Sequence, residues 1–223
     1  MKTEKVPVPP KDIQKSIVSE CEQIDKEYSD AQKKIEECKN EIENQFIESQ
    51  KSASDVYKLS NKDIFEVSIG RRILSTEISE NYEIPVYSAN VFEEFGKINK
   101  LLLTEFERPS VIWGIDGDWM VNVIPAEQKF YPTDHCGVLR IKDKKLEEKY
   151  VAWVLNKEGK SAGFRREYRA SIDRIEGISI KVPSLSEQQK IVEQITALEE
   201  QIADAKKTIA DCPQKKAEVL KNI

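Results

Sequence analysis

Two stretches of this chain carry an apolar alternation of four and three residues, and no other feature limits the possible folds so strongly. From Ile17 the apolar or small positions run Cys21, Ile24, Tyr28, Ala31, Ile35, Cys38 and Ile42. Near the other end Ile191, Ile195, Leu198, Ile202, Ala205, Ile209 and Cys212 keep the same rhythm. A mean spacing of 3.5 residues lays every seam residue on one narrow helical stripe, too thin for a helix embedded in a globular core, so each helix needs a partner helix. Lys, Glu, Gln and Asp fill the other faces, as a solvated helix pair demands. The second helix is expected to start at a capping box of Ser186 and Gln189, with Pro183 just outside it. Pro213 should then kink or stop it, because proline removes a backbone amide.

The two stretches are copies. Sliding the sequence by 174 positions sets Val8-Pro9 on Val182-Pro183, Gln14 on Gln188, Ile17-Val18 on Ile191-Val192 and Asp30-Ala31 on Asp204-Ala205. Lys33, Ile35 and Cys38 fall on Lys207, Ile209 and Cys212 in the same register. Two unrelated charged helices would share some Lys and Ala, but not the Val-Pro approach, the Ile-Val pair and the Cys without a gap.

Between them, from about 55 to 182, aromatics, short apolar runs and turn signals replace the heptads. Pro109 to Ile115 and Trp119 to Ile124 are predicted as two strands joined at Asp116-Gly117, a strong hairpin signal. His135 to Ile141 is predicted as another strand. Lys144 to Lys157, with Leu146, Tyr150 and Val154 on one face, is predicted as a short helix. The fold class is therefore α+β: a mixed α/β domain flanked by two long helices. Because the middle starts and ends at a long helix, an antiparallel pairing is the economical one, and 35 to 40 residues would reach roughly 50 to 60 Å.

Several function classes lack their chemistry. There is no phosphate-cradling G-x-x-x-x-G-K-[ST] and no G-x-G-x-x-G. The single histidine, His135, lies beside Asp134 and Cys136, and strand alternation points neighbours to opposite faces, which speaks against a triad and for a structural role. Cys21, Cys38, Cys136 and Cys212 are scattered with no C-x-x-C pair, so no zinc site, disulfide framework or other cofactor is suggested. No apolar run approaches the roughly 18 residues that span a bilayer, and the N-terminus lacks the pattern of a signal peptide, so no membrane partner is expected and the chain is expected to be cytoplasmic.

A domain flanked by two copies of a Val-Pro-x-x-x-x-x-Gln-x-x-Ile-Val helix resembles the specificity (S) subunit of type I restriction-modification systems. In that family a target recognition domain ends in a strand and a Pro turn, here Ile178 to Pro183, and runs into a coiled-coil helix opening with Glu-Gln-x-x-Ile, here Glu187, Gln188, Lys190 and Ile191. Ile84 to Ser88 and Trp113 to Gly117 are also similar to segments of such domains. The resemblance implies the remnant of a preceding recognition domain at 1–10, a coiled-coil helix at 11–50, a target recognition domain at 51–183 and a second coiled-coil helix at 184–223. The chain is thus expected to be a half subunit that by itself reads one half of a bipartite site in double-stranded DNA. It implies a non-catalytic role, with methyltransferase subunits docked on the coiled coil and the restriction subunit joining the complex. A homodimer restoring two recognition domains is a further expectation, favouring a palindromic site.

A net charge of -5 rules against indiscriminate coating of nucleic acid, and residues 51–180 hold 20 basic against 21 acidic side chains, so DNA contact must come from clustering. The clearest cluster is Lys157, Lys160, Arg165, Arg166 and Arg169, in a Gly-containing segment with Phe164 and Tyr168. Guanidinium forks fit phosphates or a guanine edge, and glycines let backbone approach the duplex. Arg71 and Arg72 follow Gly70, a turn able to offer an amide and two guanidinium groups. Ser88 and Asn90 are polar candidates for phosphate or base-edge contact. Of Trp113 and Trp119, at least one is expected in the core. The rival reading is a coiled-coil adaptor whose middle domain binds protein and has no DNA role.

Overall fold

The computed structural model describes residues 8–221, so of the segment expected at 1–10 only residues 8–10 fall within the description. The chain divides into two compact units: one made of the chain up to Ile47 with the chain from Glu193, the other running from Glu48 to Val192.

The first unit is an antiparallel coiled coil of α1 (Lys11–Ser52) up to Ile47 and α4 (Leu185–Lys221) from Glu193, the remaining turns of both helices belonging to the second unit. Its direction follows from paired contacts: Cys212 Sγ lies 3.8 Å from the Ile24 carbonyl and Lys215 pairs with Glu27, while Cys38 meets Gln201 further along. Ile24, Ala31 and Cys38 are buried at seven-residue intervals, and Ile195, Ala205 and Cys212 answer them from α4. The alternate seam positions lie at the margin, and Tyr28 stays 38% exposed. Two helices cover one line of each other, whereas a larger bundle would cover both flanks.

Two details of α4 differ from the expectation. Its cap is Ser184, not Ser186: the Ser184 hydroxyl accepts from the Glu187 amide at 3.4 Å and donates to the Glu187 carboxylate at 3.1 Å. The helix also runs through Pro213 to Lys221. Proline removes one amide bond, but the residues around it are held across the seam, Cys212 against Ile24 and Lys215 and Lys216 against Glu27 and Asp25. Among the described residues no helix is long and apolar enough to cross a membrane.

The second unit is built on a four-stranded antiparallel sheet. In chain order its elements are β1 (Asp55–Lys58), β2 (Phe65–Ile69), β3 (Ile84–Tyr87), β4 (Gly96–Ile98), β5 (Ser110–Gly114), β6 (Val121–Ile124), β7 (Tyr131–Pro132), β8 (Cys136–Ile141), α2 (Glu148–Ala162), α3 (Ile172–Glu176) and β9 (Ser179–Val182). The main sheet has the order β2-β8-β5-β6, a second has β4-β3-β7, and β1 pairs with β9. The predicted hairpin forms with Ser110 opposite Ile124 and Trp113 opposite Val121, and Gly117 takes the left-handed φ of 91° that its turn requires.

Every residue of β5 is buried, because both sheet faces are covered. On one face Ile112 packs with Tyr87, Val91, Ile124, Phe130, Cys136 and Val138. α2 packs against β5 and β6, burying Tyr150, Val151, Val154 and Leu155. Trp113 is fully buried and donates its indole N–H to the Ala170 carbonyl at 2.9 Å, satisfying its one polar atom.

The helix expected at 144–157 begins at Glu148 and continues to Ala162. Asp143 holds Lys145 and Leu146 in a turn, and the Glu147 side chain then accepts the Lys149 amide at 3.0 Å as the cap. At the far end Gly163 adopts φ 77°, its amide donating to the Lys160 carbonyl while the Phe164 amide donates to Gly159, a Schellman closure.

Gln188, read from sequence as part of the Glu-Gln-x-x-Ile opening, is 1% exposed. Its amide nitrogen donates to the carbonyls of Pro183 (2.9 Å) and Lys145 (3.0 Å), and its amide oxygen accepts the Glu147 N–H (2.9 Å). This glutamine clamps the first turn of α4 to the start of α2. Gln14, its copy in the first repeat, makes the corresponding bond to the Pro9 carbonyl at 2.7 Å and is otherwise exposed.

Candidate nucleic-acid interface

Antiparallel pairing decides which loops meet. Ile69 at the end of β2 lies opposite Gly137 at the start of β8, and Gly114 at the end of β5 lies opposite Cys136, so three connections share one end of the sheet. Hydrogen bonds tie them together: Gly70 N–H to Cys136, Arg71 N–H to Pro132, Ile115 N–H to His135 and Ala170 N–H to Ile115. β3 delivers Ser88 to the same place, where its hydroxyl accepts from Thr133 at 3.0 Å. Candidates from three separate sequence segments, Arg71 with Arg72, Ser88 and Arg169, are therefore brought to one surface.

The basic cluster is not one glycine-rich loop. Lys157 and Lys160 stand on the last turns of α2, and both glycines have local duties: Gly159 sits where a Cβ would lie 2.3 Å from the Trp119 ring, and Gly163 closes the helix. After it, Arg165 and Tyr168 exchange both backbone bonds, at 3.1 and 3.0 Å, which puts Arg166 and Glu167 at the tip of a tight hairpin. Arg165 reaches Glu167 at 3.3 Å. Phe164 lies 5.1 Å from Trp119 and stacks on Tyr168 at 5.8 Å, and the Arg174 guanidinium lies 3.8 Å from the Tyr168 ring centre. Trp119 and Phe164 thus anchor the hairpin that carries the arginines, and Arg166 is exposed.

Two other candidates change role. The Arg71 amide is already spent on Pro132, so that turn offers guanidinium groups and not a free amide. Gly70 is required because a Cβ there would lie 2.0 Å from the Pro132 oxygen. Asn90 is engaged locally, its side-chain oxygen accepting the Phe92 amide at 3.0 Å and its nitrogen donating to Glu93 at 3.1 Å. It shapes the loop after β3.

Four residues at this surface escaped the sequence reading as a group. His135 Nδ1 lies 2.9 Å from both carboxylate oxygens of Asp116, and Arg169 Nη2 approaches Asp116 at 3.5 Å. Asp134 is 4.0 Å from His135 Nε2. The partner of His135 is thus in the hairpin and not its neighbour in the chain. Only the β5–β8 register brings them together, and no local pattern carries that information. Among the described residues no group of three or more His, Cys, Asp and Glu is placed to hold a metal ion.

A model of the type I restriction modification DNA specificity domain matches residues 53–211. The chain is similar to the type I specificity subunit S.MpnORF285P of Mycoplasma pneumoniae, 32% identical over 144 residues, which is 62% of this chain and 46% of that protein. It is similar to the type I restriction enzyme MpnII specificity subunit of the same organism, 30% identical over 141 residues, 62% of this chain and 42% of that one. The chain spans about half the length of the curated relatives it matches. The fold is that of the S subunit from M. genitalium, at TM-score 0.60 and 17% identity over 95% of this chain and 60% of that one. The HsdS subunit from Thermoanaerobacter tengcongensis gives TM-score 0.54 and 15% identity over 97% and 59%.

Proposed function

Because this chain belongs to the family of type I restriction-modification DNA specificity domains, we propose that its sheet-end surface reads one half of a bipartite site in double-stranded DNA. The observation that carries this reading is the convergence there of Arg71, Arg72, Ser88 and Arg169, beside a hairpin presenting Arg165 and Arg166. Guanidinium groups on a rigid platform supply phosphate contacts, which set register and salt dependence, while a few side chains at base edges supply sequence preference. The chain performs no chemistry itself. Methyltransferase subunits dock on the coiled coil, which fixes the spacing of recognition domains, and the restriction subunit joins through that complex.

Support for a second recognition domain in the working assembly comes from the repeat. Gln188 spends three bonds on its own domain, whereas among the described residues Gln14 keeps the Pro9 bond on an otherwise exposed side chain. The start of α1 is a seat of the same design, and in a homodimer or a complex with another recognition domain it would be filled.

The test is selection from a pool of random duplexes at two salt concentrations, with the chain alone and with a cognate methyltransferase subunit. An enriched motif with affinity falling steeply with salt is expected, and Arg165→Ala or Arg166→Ala should weaken all sequences alike and lower the salt slope by about one each. Failure to enrich any motif with the cognate subunit present would favour the protein-binding adaptor.

A further inference from the structure

Phosphate binding alone would be served best by a surface without carboxylates, yet this one carries Asp116, Asp134 and Asp173 beside its arginines. Asp116 is accounted for: it bridges His135 and Arg169. Asp134 has no Lys or Arg within ion-pair distance among the described residues, and its carboxylate lies 4.0 Å from His135 Nε2. It lines a cleft of about 620 Å³ with Arg169, Arg174 and Asp173, together with Ile69, Ile115 and Ile172. A carboxylate without a cationic partner repels phosphates and therefore faces something that donates hydrogen bonds.

His135 is set up the same way. Both oxygens of Asp116 sit 2.9 Å from Nδ1, so Nδ1 carries the proton and donates, and in the neutral ring Nε2 is left as a bare acceptor. That acceptor lies next to Asp134, and both side chains are accessible, at 46% and 41%. In the major groove, hydrogen-bond donors on base edges come from exocyclic amino groups: N6 of adenine and N4 of cytosine, whereas guanine and thymine present oxygen acceptors there.

We propose that Asp134 and His135 form an acceptor pair that reads the amino group of one adenine or cytosine in the recognised half site, with Asp116 as the positioning residue that fixes the imidazole. Arg169, tied to Asp116 and held through Ala170, flanks the pair and takes the adjoining phosphate or guanine edge. This rests on the DNA-recognition reading above and adds which residues set sequence preference, and for which base chemistry.

The experiment uses the full chain with the motif selected for it. In a set of duplexes each base of the motif in turn is replaced by its analogue lacking the exocyclic amino group, purine for adenine and 2-pyrimidinone for cytosine. Binding is measured for the unaltered chain, Asp134→Ala and His135→Ala. At one position, removal of the amino group should weaken the unaltered chain about tenfold and cost the two variants little more, with the salt slope unchanged. Asp134→Asn, which keeps the shape of the side chain, stands in if either alanine variant unfolds, and should show the same loss of coupling. A motif present but with no position where amino deletion and these substitutions fail to add overturns the acceptor pair and leaves DNA recognition standing. Absence of any selected motif removes both.

Discussion

Replacing Gln188 with Leu should do far more harm than the same change at Gln14, although the two residues occupy equivalent places in the repeat. The Gln188 side chain is 1% exposed and makes three hydrogen bonds of 2.9 to 3.0 Å, all to backbone. Leucine fills the space but leaves the Glu147 N–H and the Lys145 and Pro183 carbonyls without it. A buried backbone donor left unpaired costs about 1–3 kcal/mol, and carbonyls somewhat less because they accept twice, so a loss of about 3–5 kcal/mol is expected. Among the described residues Gln14 makes one side-chain bond, to Pro9, at an exposed site, and its loss should stay within about 0.5 kcal/mol. Gln188→Glu is a sharper probe: it keeps the acceptor but turns a second oxygen toward two carbonyls. Its carboxyl should titrate above the usual range, so that the variant is least stable near neutral pH and recovers as pH falls. Urea unfolding followed by tryptophan fluorescence reports on the unit that contains all three tryptophans. Equal midpoints for Gln188→Leu and Gln14→Leu would refute the argument that Gln188 is a clamp.

Gly137→Ala places a methyl 2.1 Å from the Trp113 ring, and since Trp113 is fully buried the ring has nowhere to go; a loss of about 3 kcal/mol is expected in the same unfolding assay. Pro213→Ala restores an amide bond inside α4 and should stabilise the helix pair by about 1–3 kcal/mol, seen as a higher melting temperature by circular dichroism at 222 nm. Burial pushes the Cys136 thiol from 9.0 up to about 12. Its folded-state value lies above its unfolded one, so its contribution is fully present below about pH 9 and is lost as pH rises toward 12, by up to about 1.4 kcal/mol per pH unit. Cys136→Ala should lower stability overall and remove that slope from a pH series of unfolding midpoints.

The two long helices, the central hairpin, the strand at 135–141 and the short helix after it were legible without coordinates because their signals are local, whereas β1, β2, β4, β7 and α3 were not. A 3.5-residue apolar rhythm needs only one helix to be visible, and the repeat of Val-Pro, Gln and Ile-Val needs only comparison along the chain. The Asp116-Gly117 turn between β-branched runs is equally local. So is the apolar face of α2, where Tyr150 and Val154 are buried as their spacing requires, with Leu146 buried in the turn just before it. Boundaries moved where a local competitor won: Ser184 capped α4 before Ser186 could, and Asp143 with Glu147 delayed the start of α2. The glycines at 159 and 163 suggested an open loop, but what they serve, close contact with Trp119 and the closing turn of α2, appears only in three dimensions. The candidate surface belonged wholly to tertiary structure. Sequence could nominate arginines, but it could not place Arg71, Ser88 and Arg169 together or give His135 its partner in Asp116, because those meetings depend on the register of β8 against β2 and β5. Register is set by long-range pairing of strands and by the packing of their faces, which no short window of residues contains.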